Sequence, residues 1–161
     1  MKIFTKITIY FLALIAFTLS SCTVKPEPAK PLTSFTATVT DDNEKYTVVH
    51  NGNSLTGITY HTPEALNGLT YNYKNGVLSV DFLSLSYKPS NNSLPSDNNA
   101  TKLHNILTAL SSDSCYLLST SDNTATYSLP TAEVICDYKT GRIEEIKSKE
   151  NHQRFLFMYN D

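Results

Sequence analysis

Long hydrophobic runs, glycine, cysteine and surplus charge of either sign are all scarce in this chain. Crossing a bilayer as a helix takes roughly 18 or more consecutive apolar residues. The main apolar stretch, Ile7–Leu19, is shorter and is interrupted by Thr8, Tyr10 and Thr18. With 13 Lys+Arg against 15 Asp+Glu there is no basic stripe, which argues against a nucleic-acid surface. No G-x-S-x-G elbow, S-x-x-K box or C-x-x-C pair occurs, so hydrolase and dithiol-exchange chemistry lack their usual signatures. His50, His61, His104 and His152 match no ligand spacing and have no Cys or carboxylate cluster beside them. They read as surface histidines, and neither metal nor cofactor is implied. Glu144 and Glu145 are adjacent on an alternating strand, so they face opposite ways and cannot act directly as an acid/base pair. The reading is of a non-enzyme, with a hydrolase as the weakest option.

Two lysines, Lys2 and Lys6, precede the apolar stretch, and small residues follow it. A charged start, a short apolar middle and small residues before a cut describe a secretory signal peptide, here residues 1–21. Leu19-Ser20-Ser21-Cys22 looks like the lipobox of bacterial lipoproteins. Small residues let an extended backbone enter a peptidase cleft, and a thiolate is nucleophilic enough to take a diacylglyceryl group as a thioether. Cleavage would leave Cys22 as the first residue, lipidated, and two or more acyl chains would hold it stably in a membrane. The expected location is the bacterial cell envelope, outside the cytoplasm. Residues 22–33 carry Pro26, Pro28 and Pro31, and read as an extended, semi-rigid tether that spaces the domain from the lipid.

Residues 34–161 remain, enough for one ordinary domain with its own core. Ten tyrosines and many threonines favour strands. "SFTATVT" puts Phe35, Ala37 and Val39 on one face, the period of a half-buried antiparallel strand. "EKYTVVHNGN" and "SLTGITYHT" continue a meander. Thr62-Pro63 can cap a single helical turn over 63–67. "LTYNYKNGVLSVDFLSLSY" is a hairpin turning at Asn75-Gly76. After a polar loop, Ala100, Leu103, Ile106, Leu107 and Leu110 recur at helical spacing, with Ser96 or Asp97 available as the cap. "CYLLST", "TATYSL", "TAEVICDY", "RIEEIKSK" and "QRFLFMY" return to strands, the last apolar on both faces and so expected to be covered on both sides. Leaving out Cys22, the exported part has an even pair, Cys115 and Cys136, each in a β-like stretch. A cross-strand disulfide and two buried free thiols are both compatible with that placement.

Several of these segments, in this order, resemble the LolA-like bacterial lipoproteins. "TPEALNGLTYNYKNGVLSVDFLSL" looks like their short proline-containing turn before a strand pair. "CDYKTGRIEEI" is similar to their D-x-x-T-G-x-x-x-x-I hairpin, here Asp137, Thr140, Gly141 and Ile146. "RFLFMYND" is similar to their terminal aromatic strand. The resemblance implies a mainly β, α+β fold: a curved antiparallel half-barrel with one main helix and one short helical turn. It also implies handling of lipid-like groups, although no binding residue of the carrier can be placed in this chain. The function expected is non-covalent binding of an acyl or apolar ligand by a membrane-anchored lipoprotein. Tyr71, Tyr73, Phe82, Phe155 and Phe157 would line the cavity, with Leu103, Ile106, Leu107 and Leu110 as its lid. The alternative is a cell-surface interaction or sensor module, with a solid core and a protein partner that the sequence does not name.

Overall fold

A computed structural model describes residues 25–41, 43–90 and 98–160. The signal segment and Cys22 lie outside the described residues, and so do the two expected helix caps, Ser96 and Asp97. The first half of the domain contributes β1 (Ser34–Thr40), β2 (Lys45–Asn51), β3 (Leu55–Thr62), β4 (Thr70–Lys74), β5 (Val77–Phe82) and β6 (Leu85–Tyr87). A helix, α1 (Asn99–Ala109), follows. The second half contributes β7 (Tyr116–Thr120), β8 (Thr124–Ser128), β9 (Ala132–Asp137), β10 (Ile143–Ser148) and β11 (Arg154–Met158).

All eleven strands belong to one open, curved antiparallel sheet in the order β6-β5-β4-β3-β2-β1-β11-β10-β9-β8-β7. Two meanders are therefore joined where β1 pairs with β11, with Val39 opposite Phe157. The free edges, β6 and β7, are consecutive strands, and the chain between them carries α1 across the concave side.

Period-two burial decides which face is inside. Phe35, Ala37 and Val39 are buried on β1, and Tyr46, Val48 and His50 on β2. A cross-strand file of rings, Tyr46–Tyr60 at 5.2 Å and Tyr60–Tyr71 at 5.8 Å, spans β2 to β4. Over it lies the apolar stripe of α1, with Ala100, Leu103, Ile106 and Leu107 buried at the spacing expected. The helix starts on Asn98, whose side chain accepts hydrogen bonds from the amides of Ala100 and Thr101. Its first turn is held by a polar knot in which Asp41 Oδ2 accepts from Tyr46 Oη, Asn99 Nδ2 and Gln153 Nε2.

Three local expectations change. The 70–87 segment is not one hairpin: Asn75 and Gly76 make the expected turn with φ of 50° and 77°, but Leu83, also at positive φ, turns the chain again and creates β6. Pro63 stands at the cap position of a 3-10 turn, Glu64–Leu66, with extended backbone and no side-chain cap, so Thr62 does not serve as one. The outer face of β11 is open, with Leu156 and Met158 45% and 49% exposed, because among the described residues no second layer covers the convex side there.

Antiparallel alternation sorts the turns onto two rims. One rim carries the β2–β3, β4–β5, β7–β8 and β9–β10 turns. The opposite rim carries the β1–β2, β3–β4, β8–β9 and β10–β11 turns.

Candidate functional site: a cleft walled by the N-terminal strap

The segment expected to be an extended, semi-rigid tether is, over residues 25–33, laid down on the first of these rims. Ala29 N donates to Tyr138 O and Leu32 N to Gly141 O, both at 2.9 Å, and Thr33 O accepts from Gly52 N at 2.6 Å. Tyr127 Oη donates to Ala29 O at 2.9 Å, Tyr138 Oη donates to Pro26 O, and Lys25 Nζ donates to Ser121 O at 2.9 Å. The same ammonium lies 4.8 Å from the centre of the Tyr138 ring. Proline composition explains the docking as well as it explains a spacer. Pro26, Pro28 and Pro31 hold the backbone extended and have no amide to satisfy, so the intervening amides and carbonyls are free to meet the domain. Over residues 25–33 the extended chain is docked on the domain.

The β9–β10 turn is built to receive it. Asp137 Oδ1 accepts from the amides of Lys139 and Thr140 and from Thr140 Oγ1, at 3.1, 2.7 and 2.7 Å. Those bonds hold the Asp137 carboxyl below its usual range. The turn they lock brings Gly141, at φ +70°, under the strap: a Cβ there would lie 2.0 Å from Lys30 O. Only glycine allows that approach.

Between the strap, the C-terminal end of α1 and β7 opens a cleft of about 700 Å³. Pro28, Pro31, Leu110, Leu117, Tyr127 and Cys115 supply its apolar and thiol surface. Glu27, Lys30, Thr33, Ser111, Ser112 and Asp113 add polar groups. The volume falls within the range that small-molecule sites occupy. Burial raises the pKa of the Cys115 thiol, so it stays protonated and is a poor nucleophile at neutral pH. Lining of this kind suits binding and orientation, with the carboxylates and Lys30 available to a polar end group.

Of the residues expected to line a cavity under the helix, Leu110 alone borders this cleft. Leu103, Ile106, Leu107, Tyr71, Phe155 and Phe157 are buried in a single packed core that joins helix and sheet. Tyr73 packs on the edge of that core, donating or accepting with Thr101 Oγ1 at 3.1 Å and stacking on His104 at 3.8 Å. Phe82 is half-buried near the β6 edge, outside the core cluster. Cys115 and Cys136 are free thiols and not a disulfide; Cys136 is buried in the core, where desolvation pushes its pKa up to about 12. The strap wall, Tyr127 and Leu117 went unnoticed in the sequence. The signal available was the run of prolines followed by D-x-x-T-G, but nothing local says that one rests on the other.

The histidines also need correction. His50 is 1% exposed, packs against Phe35 at 5.5 Å and bonds Thr56 Oγ1 through Nδ1 at 3.1 Å. Desolvation lowers its pKa to about 4, with His104 nearby adding to the effect. His104 is half-buried against Tyr73, and burial lowers its pKa too. His61 and His152 are exposed, as expected. Among the described residues no group of three or more His, Cys, Asp or Glu is placed to hold a metal ion, and no helix is long and apolar enough to cross a membrane.

No protein family and no curated protein matches the sequence. A solved structure, the LolA superfamily protein NE2245 from Nitrosomonas europaea, is similar over 82% of this chain and 87% of that one, with 11% identity and a TM-score of 0.45. A likeness at that level transfers neither function nor site residues. The half-barrel description rests on the strand order and register of this chain.

Proposed function

We propose that this chain is a bacterial lipoprotein, held outside the cytoplasm by acyl chains on Cys22, that binds an apolar or acylated small molecule non-covalently in the strap cleft. One observation carries the binding half of the reading: the cleft is of ligand size, lined by an apolar set around Leu110, Leu117 and Tyr127 and by an equally large polar set, and closed on one side by the strap. The anchoring half comes from the signal segment and the lipobox-like Leu19–Cys22.

Titration of the detergent-purified full-length protein with a fluorescent fatty-acyl probe tests the binding. Leu117, which lines the cleft, and Leu118, which does not, are neighbours about equally exposed on β7. Leu117→Asp should weaken uptake at least tenfold, since a carboxylate is costly to bury beside an alkyl chain. Leu118→Asp should leave it near wild type. Equal effects of the two, or no uptake by the parent protein, would discard the cleft as the site. For the anchor, Cys22→Ala should release the protein from the membrane fraction.

A second reading, an interaction module with a solid core, is favoured by the packing of Leu103 and Leu107 against the sheet, where both are fully buried. An absence of probe uptake together with no co-purifying lipid would leave it as the better account.

A further inference from the structure

We infer that the strap fixes how the domain sits on its membrane: the β7–β8 end faces the bilayer that holds Cys22, so the cleft borders the lipid. The inference rests on lipidation of Cys22 as proposed above. The argument begins with chain length. Lys25, the first described residue, is pinned to Ser121 O at the β7–β8 turn and to the face of Tyr138. Three residue steps separate it from Cys22, a reach of at most about 11 Å. A free tether running from Cys22 to Ser34 would instead reach about 37 Å in an extended proline-rich conformation. The docked strap removes most of that freedom, leaving the Ser121–Asn123 turn close to the headgroups.

What lies at that end suits lipid. Leu117 and Leu118, 45% and 51% exposed, sit on β7, the edge strand that leads into the turn. Lys25, Lys30, Lys139 and Arg142 gather on the strap and the β9–β10 turn, interleaved with Glu27, Asp122 and Asp137. Lys25 is paired with Asp122 at 3.5 Å and the carboxylates nearly balance the cations, so the exposed leucines, and not net charge, are what the bilayer interface receives. Leu117 belongs both to this edge and to the cleft, so an acyl ligand could pass from lipid into the cleft with little exposure to water. The β10–β11 turn lies on the opposite rim, a further strand length or about 20 Å away from the bilayer.

The experiment uses the mature lipidated protein in vesicles of phosphatidylcholine and phosphatidylglycerol, some of the lipid carrying a headgroup quencher. An environment-sensitive fluorescent amino acid is placed at Asn123 or at Asn151, both exposed and on opposite rims. Quenching should be several-fold stronger at 123 than at 151. Inserting ten Gly/Ser residues between Val24 and Lys25 lengthens the leash without touching the fold, and should bring the 123 signal down towards that of 151. Tyr127→Phe with Tyr138→Phe, which removes two strap hydroxyls and keeps the buried rings, should shift it the same way. Equal quenching at both sites in the parent protein, or a 123 signal indifferent to the insertion, would overturn the inference. A protein that fails to float with the vesicles would refute lipidation, the reading beneath it; one that floats with equal quenching would refute only the orientation.

Discussion

Gly141→Ala is the substitution by which the docked strap stands or falls. Two costs add. At φ +70° an alanine pays about 1–2 kcal/mol for the left-handed backbone. Its Cβ would also meet Lys30 O at 2.0 Å, which is backbone and cannot rotate away. The strap must lift, and the bonds from Ala29 N to Tyr138 O and from Leu32 N to Gly141 O are lost or stretched. At about 1 kcal/mol net for each bond, the total reaches roughly 3–4 kcal/mol. Domains of this size have about 5–15 kcal/mol in hand, so the variant should fold, with Tm lower by about 10 °C. Gly76→Ala is the control: φ is +77° and nothing lies within 4 Å of the added carbon, so only the backbone cost applies. Urea denaturation of both variants gives the difference, expected at about 2 kcal/mol. Hydrogen exchange locates it, because the amides of Ala29 and Leu32 should lose protection in Gly141→Ala alone. Probe uptake should fall in that variant and persist in Gly76→Ala. If the two glycine variants lose the same stability and keep the same protection of Ala29 and Leu32, the strap does not rest on Gly141 and the cleft has no fixed wall.

Leu107→Ala, which empties part of the core between α1 and the sheet, should cost about 2–5 kcal/mol in urea denaturation, whereas Leu85→Ala on the exposed β6 edge should change stability by less than about 0.5 kcal/mol. His50 is held neutral in the fold, its pKa lowered from 6.5 to about 4. The unfolded chain therefore takes up a proton first, and the contribution of neutral His50 is present above pH 6.5 and is lost as the pH falls towards 4. His50→Gln should flatten the urea midpoint over that interval; an unchanged slope would assign the pH dependence elsewhere, with His104 the next candidate. Cys136, buried and with its pKa pushed up to about 12, should react with a thiol reagent at pH 8 only as fast as the domain unfolds, and modification at the rate of a free thiol in the native protein would contradict its placement.

Strand identity was legible because it is a local property. Alternation in "SFTATVT" fixes which side chains of β1 face inward, and Asn75-Gly76 fixes a hairpin, whatever the rest of the chain does. The stripe from Ala100 to Leu110 likewise needs only helical geometry to form, and burying it needs only some apolar surface opposite. The same local pattern could not tell a cavity wall from a packed core, since Leu103 or Phe155 would be apolar in either. It also misjudged His50, which looks polar in the sequence but alternates with Tyr46 and Val48 and is carried inside by strand period.

The sequence by itself determined most of the strands, the helix and the Asn75-Gly76 turn, because periodicity and turn chemistry each act over a few neighbouring residues. Only the tertiary structure decided that β1 pairs with β11, that the proline-rich segment lies across the rim, and that Gly141 must be bare to admit it. Those contacts join residues about a hundred positions apart, where the packing of one surface on another, and no local preference, sets the outcome.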